Sequence, residues 1–381
     1  MTGQTLFHGA RKLDAHGQVD DFWMLVDGPD IVATGSGHLP DTERGTRTID
    51  VDGKWFVPGF IDIHGHGGGG CVFDDGPEQI LGGLAAHRAR GTTRSVVSLV
   101  AAPIQALETS LRTIADLADA DPLILGSHLE GPFLAPDQRG AHDPRFLLEP
   151  QPEEVERLIG AARGTLRQLT IAPELPGAFE AIDVLVEAGV AVAVGHTTAD
   201  QACAKEAFDR GARILTHAFN AMPGIHHRAP GPVVAAFDDE RVTLELIMDG
   251  KHVHPSVVHL AFTAAPGRVA LVTDAMAAAG FSDGDYTLGS LTVSVRDGLA
   301  MLRGTTTIAG STVTQDSAFR QAMRDVHISP TDAIAALTRT PARALGLDHR
   351  LGMLAPGFAA DAVILNHEWR VEQVWANGEL L

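Results

Sequence analysis

Two cysteines in 381 residues are too few to frame a disulfide-stapled fold. Cys71 and Cys203 therefore read as unpaired thiols, and Cys71 draws notice only for its place beside a run of glycines. Cations are also short. Lys and Arg number 29 against 48 Asp and Glu, a formal net charge of −19. That balance argues against nucleic acid and anionic membrane, both of which are bound by neutralising phosphates. It also makes any local basic cluster conspicuous, because an anionic substrate would need one. No apolar run reaches bilayer length, and the start carries neither a signal-like apolar stretch nor a basic amphipathic one. A cytoplasmic protein is the expectation. Internal repeats and low-complexity tracts are lacking as well.

What is present is ordinary globular material, 45% hydrophobic and 20% charged, enough for one large domain with a small companion. From Thr5 to about Trp55, short apolar stretches such as Phe22 to Val26 and Ile31 to Ala33 are broken by Gly, Pro and Asp, as in antiparallel strands and turns. The same texture returns at Ala362 to Leu365 and Val371 to Trp375, with Asn377-Gly378 as a hairpin turn. The two termini are expected to meet in one small β-sandwich domain, residues 1–55 and 346–381. Between them apolar strand-like runs recur at Phe56–Ile63, Ser95–Val100, Leu123–Leu129, Gln168–Ala172, Ala191–Gly195, Arg213–Thr216, Thr243–Met248 and Val269–Thr273. Helix-like segments such as Pro77–Arg90, Glu153–Ala162, Phe179–Ala188 and Asp200–Arg210 alternate with them. Alternation repeated about eight times predicts an α/β fold, a (β/α)8 TIM-type barrel over 56–345. A doubly wound open sheet is the competitor. Gly, Asp and short strands over 279–307 suggest a β-hairpin inserted above the barrel.

The polar residues favour the barrel. Val57-Pro58-Gly59-Phe60-Ile61-Asp62-Ile63-His64-Gly65-His66 reads as a buried strand ending in two imidazoles on one face, with Asp62 beneath them. Glu130, His196, His217 and Asp274 each close a later strand. Singly, each has an ordinary explanation: an ion pair for Glu130, a hydrogen-bonded core histidine for His196 or His217, a helix N-cap for Asp274. In a barrel the strand ends converge on one face, and one shared divalent-metal site accounts for all six residues together. Imidazole and carboxylate without thiolate suit Zn, with Fe or Mn as alternatives. Asp274 could take a proton from water and return it to a leaving nitrogen. Thr216 to Arg228 packs Asn220, three histidines and Arg228 into one loop, and Lys251-His252 follows the next strand. This resembles a cradle for phosphate or carboxylate, although a solvated loop would read the same way.

Together, Pro58 to His66, the single His196 and His217, and Val272-Thr273-Asp274 resemble the amidohydrolase superfamily. That resemblance implies a metal-bearing barrel joined to a small β-domain built from both termini. Many members carry a carboxylated lysine on the fourth strand; no lysine lies near Gln168 to Glu174, and Glu130 would replace it. His128-Leu129-Glu130-Gly131-Pro132-Phe133, Gly195-His196-Thr197, Asn220-Ala221-Met222, Asp249-Gly250-Lys251-His252 and Ala309-Gly310-Ser311 narrow the likeness to members that deacetylate phosphorylated amino sugars, and it spans nearly the whole chain. It implies removal of acetate from N-acetyl-D-glucosamine 6-phosphate in amino-sugar catabolism. The galactosamine counterpart or another amide is the near alternative, and a non-catalytic sugar-binding barrel the distant one. By position, Glu130, His196 and His217 would hold the main ion, and His64 and His66 a second with Asp274 close by. The His64/His66 pair is intact, so two ions are expected. Asp274 and His142 would be the catalytic pair, His142 polarising the acetyl carbonyl. Asn220, Ala221, Arg228 and His252 would bind phosphate and sugar, the last two across a homodimer interface. His226 and His227 find no role.

Overall fold

The computed structural model describes residues 3–42 and 44–381. Eight strands run parallel and pair in unbroken chain order: Phe60–Asp62 (β1), Thr92–Leu99 (β2), Ile124–Glu130 (β3), Leu166–Ile171 (β4), Ala191–Val194 (β5), Ile214–Leu215 (β6), Thr243–Ile247 (β7) and Val269–Val272 (β8). All but two of their residues are buried, as expected of parallel strands covered on both faces. The seam between β1 and β8 is tied by side chain as well as backbone. Thr273 donates through its N–H and Oγ1–H to Asp62 at 3.2 and 2.6 Å, and Asp274 N–H donates to His64 O at 2.8 Å. Asp62 thus points at the seam, where it holds the barrel together.

Helices alternate with the strands: Pro77–Arg88 (α1), Ile104–Ala120 (α2), Pro152–Ala161 (α3), Ala178–Glu187 (α4), Gln201–Asp209 (α5), Gly231–Asp238 (α6), Pro255–Ala264 (α7), then Gln315–Asp325 (α8), Pro330–Leu337 (α9) and Arg339–Ala344 (α10). In α2 the buried positions Ile104, Leu107, Leu111 and Ile114 recur every three or four residues and put one face on the barrel. Side chains start several helices where the sequence supplies them: Asp200 accepts from Cys203 N–H at 2.8 Å, and Ser329 from Asp332 N–H at 3.1 Å. No helix among the described residues is long and apolar enough to cross a membrane.

The single strand expected over Phe56–Ile63 is divided. Trp55–Pro58 joins the terminal sheet, and β1 resumes at Phe60. The break falls at Gly59, where a Cβ would sit 2.2 Å from Thr93 Oγ1, so the chain crosses between sheets at the one residue that fits. The expected boundary after residue 55 therefore lies inside a strand. The terminal sheet has eight strands, from Thr5–Asp14 at the start to Glu379–Leu380 at the end. Its core gathers Phe7, Phe22, Phe56 and Trp375, with Phe7 edge-on to Trp375 at 4.9 Å. Asn377 and Gly378, both at positive φ, form its last hairpin turn. Over the barrel's C-terminal end lies an insert of three antiparallel strands, Gly284–Leu288, Leu291–Arg296 and Leu299–Leu302, one more than a hairpin. Its Leu288, Val293 and Val295 pack against Val100 and Met276.

Candidate active site

Side chains with chemistry collect where the strands end. His64, His196, His217 and Asp274 each lie two residues beyond β1, β5, β6 and β8, and Glu130 is the last residue of β3. The equivalence extends to the backbone. His196, His217 and Asp274 adopt left-handed φ of 46°, 27° and 44°, a conformation costing about 1–3 kcal/mol for such residues and found mostly where function requires it. The turn at each strand end aims the side chain inward. At β5 it depends on Gly195, where a Cβ would lie 2.5 Å from Thr216 Cβ.

Glu130 occupies the centre. Its Oε1 lies 3.0 Å from both His196 Nε2 and His217 Nε2 and 3.3 Å from His64 Nε2. Its Oε2 lies 3.1 Å from both His66 Nε2 and His142 Nε2. Asp274 Oδ1 is 3.3 Å from His66 Nε2 and 3.6 Å from His64 Nε2. All seven residues are buried, and all but His64 line the floor of a cavity of about 410 Å³ whose walls include Gln138, Arg139, Asn220, Ala221, His252 and, from the insert and the loop after it, Leu288 and Ile308. His252 donates from Nδ1 to Asp249 at 2.7 Å; burial pushes its pKa down, and Asp249 more than reverses this.

Second partners decide which imidazoles offer a lone pair. His196 Nδ1–H donates to the Gln138 carbonyl at 2.8 Å, and His64 Nδ1–H to Glu245 Oε2 at 2.9 Å, so Nε2 of each faces the centre as an acceptor. His142 is the reverse. Its Nδ1 accepts from Ala101 N–H at 3.2 Å, so the proton sits on Nε2. Burial lowers its pKa to about 4 despite Glu130, which leaves a neutral donor near pH 7. Donors and acceptors elsewhere do not balance: His64 Nε2 meets His66 Nε2 at 3.2 Å and His196 Nε2 meets His217 Nε2 at 2.9 Å. Such pairs repel unless a proton or a cation lies between them. Burial lowers the pKa of His64 and of His66, yet the surrounding carboxylates outweigh it, raising His64 well above its ordinary value and His66 to about 9. The pocket demands positive charge. Ligand atoms of His64, His66 and Asp274 lie within 4.8 Å of one another, as do those of Glu130, His142 and His196, so the donor set fits a divalent metal.

The structure brings together every residue expected at the metal and His142, and lines the same cavity with Asn220, Ala221 and His252. His252 lines the cavity of its own chain. Arg228 does not reach it; its guanidinium is exposed and lies 2.7 Å from His227 Nε2. Beneath the site lies a layer the sequence reading did not select: Glu245 on β7, Gln168 on β4 and His128 on β3. Gln168 Nε2–H donates to Glu245 at 2.6 Å, and His128 sits between Ser98 Oγ and Thr170 Oγ1, 2.9 Å from each. The available signal was a carboxylate in the middle of the apolar run Thr243 to Ile247.

The chain belongs to the amidohydrolase family, whose family model matches residues 55–381. It is 38% identical to the N-acetylgalactosamine-6-phosphate deacetylase of Escherichia coli O157:H7 over 375 residues, 97% of each chain. It is 34% identical to the N-acetylglucosamine-6-phosphate deacetylase of Vibrio furnissii, covering 90% of this chain and 86% of that one. Among solved structures it superposes with a TM-score of 0.93 on a point mutant of the Mycobacterium smegmatis N-acetyl-D-glucosamine-6-phosphate deacetylase in complex with N-acetyl-D-glucosamine-6-phosphate, at 41% identity and 99% coverage of both chains.

Proposed function

We propose that this chain hydrolyses the acetamide of N-acetyl-D-glucosamine 6-phosphate to D-glucosamine 6-phosphate and acetate. The observation that carries the reading is Glu130, buried between two groups of imidazoles with Asp274 beside it at the floor of a cavity. Near-complete overlap with a structure solved around that sugar phosphate supports the substrate. A phosphorylated sugar is confined by membranes, which suits a cytoplasmic enzyme.

Glu130, His196 and His217 would hold one divalent ion, and His64, His66 and Asp274 a second, with Zn2+ suiting the ligand set best and Fe2+ or Mn2+ next. Such an ion, when bound, lowers the pKa of water and polarises a carbonyl, giving a nucleophile near neutral pH. The remaining work is the chain's own. Asp274 takes the proton of the attacking water and returns it to the departing amine nitrogen, so acid and base roles fall to one group. Burial pushes its pKa up, but His64 and His66 pull it down to about 2, leaving an ionised acceptor. His142 donates through Nε2–H to the acetyl oxygen as charge builds there. Asn220, Ala221 and His252 hold sugar and phosphate, and Arg228 of a second copy completes the phosphate site in a homodimer.

Acetate release should be measured on the 6-phosphate, on unphosphorylated N-acetyl-D-glucosamine and on the galacto 6-phosphate. The galacto arm is required because the Escherichia coli relative, by its name, acts on that epimer. We expect kcat/KM to drop at least about 100-fold without the phosphate, whose charge-assisted hydrogen bonds are lost. Asp274→Asn should lower kcat by about 10²–10⁴ while the ion on Glu130, His196 and His217 stays bound. No release from any of the three sugars by the Zn2+-loaded protein sinks the reading.

A further inference from the structure

Glu245 is a fully buried carboxylate in the middle of β7, below the strand ends and out of the cavity's lining. Burying such a group is costly unless its surroundings use it. Among the described residues its hydrogen-bond partners are all donors. They are His64 Nδ1–H at 2.9 Å, Gln168 Nε2–H at 2.6 Å and the backbone N–H of His217 at 3.3 Å. Two of these belong to residues at the metal site. Oε2 takes both, so one oxygen orients the His64 ring and steadies the left-handed turn at His217. Because a carboxylate oxygen here can only accept, the His64 proton is kept on Nδ1. Its Nε2 lone pair is then turned toward His66 Nε2, 3.2 Å away, and Asp274 Oδ1, 3.6 Å away.

We infer that Glu245 is the positioning residue that sets the His64 ring for the second of the two ions proposed above. The inference rests on the metal-dependent reading above. Gln168 backs Glu245 from the opposite side and fixes its rotamer, in the way that a supporting hydrogen bond holds a ligand's own partner. Of the residues that would hold the other ion, Glu130 and His196 do not touch Glu245, the His196 ring being set by the Gln138 carbonyl, and His217 meets it only through its backbone N–H at 3.3 Å, not through its ring. The two ion sites therefore depend on Glu245 unequally.

The experiment is Zn2+ binding by equilibrium dialysis with elemental analysis, on wild type, Glu245→Gln and Glu245→Leu. Glu245→Gln keeps an oxygen that can face His64 but removes the charge; Glu245→Leu removes the acceptor. Wild type is expected to bind two Zn2+. In Glu245→Gln one of the two dissociation constants should rise about 10–100-fold, the range set by losing a ligand's supporting partner, while the other moves less than about threefold, since an amide oxygen can still accept from His217 N–H. Glu245→Leu should retain one ion, and His64→Ala combined with it should lose no more. A purely structural role would lower the melting temperature and weaken both ions together or neither. Two unchanged constants in Glu245→Gln, or only one Zn2+ in wild type, overturns the inference and leaves the activity reading standing. A wild type that binds no Zn2+ overturns the metal-dependent reading itself. Should Glu245→Leu fail to fold, the Gln variant alone decides.

Discussion

At the residue scale the site is a problem in proton bookkeeping. Five imidazoles meet two carboxylates in a buried space, and for His64, His142 and His196 what the ring contributes follows from its far nitrogen. His142 is fixed as a donor by Ala101 N–H and should act at the acetyl oxygen. His142→Ala should therefore lower kcat by about 10²–10³ with little change in KM, the range seen when one oxyanion donor is lost. Steady-state kinetics on the 6-phosphate checks this, and an unchanged kcat removes the role. A group far from the chemistry gives a cleaner pH test. Burial pushes the Cys203 thiol up, and Glu174, Asp200 and Glu206 push it further, to about 11. Raising a thiol's pKa leaves less thiolate at a given pH, so at pH 8 alkylation should run about a hundredfold slower than for an ordinary cysteine and rise about tenfold per pH unit. Iodoacetamide labelling followed by mass spectrometry reads it directly; labelling at the ordinary rate would contradict the burial argument. The same scale shows what a sequence hides. Residues at strand ends announce themselves because the chain there leaves the apolar core, so His64 to Asp274 were legible. Glu245 lies two residues short of its strand end, where a lone acid in an apolar run looks like a buried ion pair.

Elements were legible in proportion to how completely they are buried. All eight barrel strands read through because both of their faces are covered, so their sequences are nearly continuous apolar runs. The division of the first at Gly59 did not read through, because which sheet a strand joins depends on Thr93 and Asp361, distant in sequence. Helix α2 lacks a capping side chain and an acid in its first turn, and the sequence reading passes over it despite its apolar stripe. The insert is the element with most to say about function. It stands over the cavity on a small apolar core, and Ser290 Oγ–H reaches down to Asp143 Oδ2 at 2.5 Å, next to His142. Ser290→Ala deletes that tie. We expect amide exchange over 284–302 to quicken about five- to tenfold, matching roughly 1–1.4 kcal/mol, with the barrel strands unchanged. Uniform acceleration across the chain would mean that the insert does not open on its own.

For the whole molecule, a net charge of −19 has to be reconciled with the phosphate of the proposed substrate. Within its own cavity the chain offers Arg139 and His252, and the basic loop that the sequence singles out lies elsewhere. Arg228 is exposed with His226 and His227, beside Ile225, an exposed large hydrophobic at 46% accessibility. Among the described residues no carboxylate pairs with that guanidinium, and an exposed apolar side chain beside it makes a surface suited to a partner. In a two-fold dimer the same loop on each copy meets the other copy's surface, so one contact would deliver Arg228 to both cavities. Complementation tests this without a crystal. Arg228→Ala and Asp274→Asn should each be nearly inactive alone. In a hybrid dimer, the Arg228→Ala subunit keeps its own Asp274 and borrows Arg228 from its partner, so one site in two is whole. Random pairing of the two co-expressed variants makes half of the dimers hybrids, so activity should recover to about a quarter of wild type. If Arg228 served its own subunit, every site in the mixture would carry a lesion and nothing would recover.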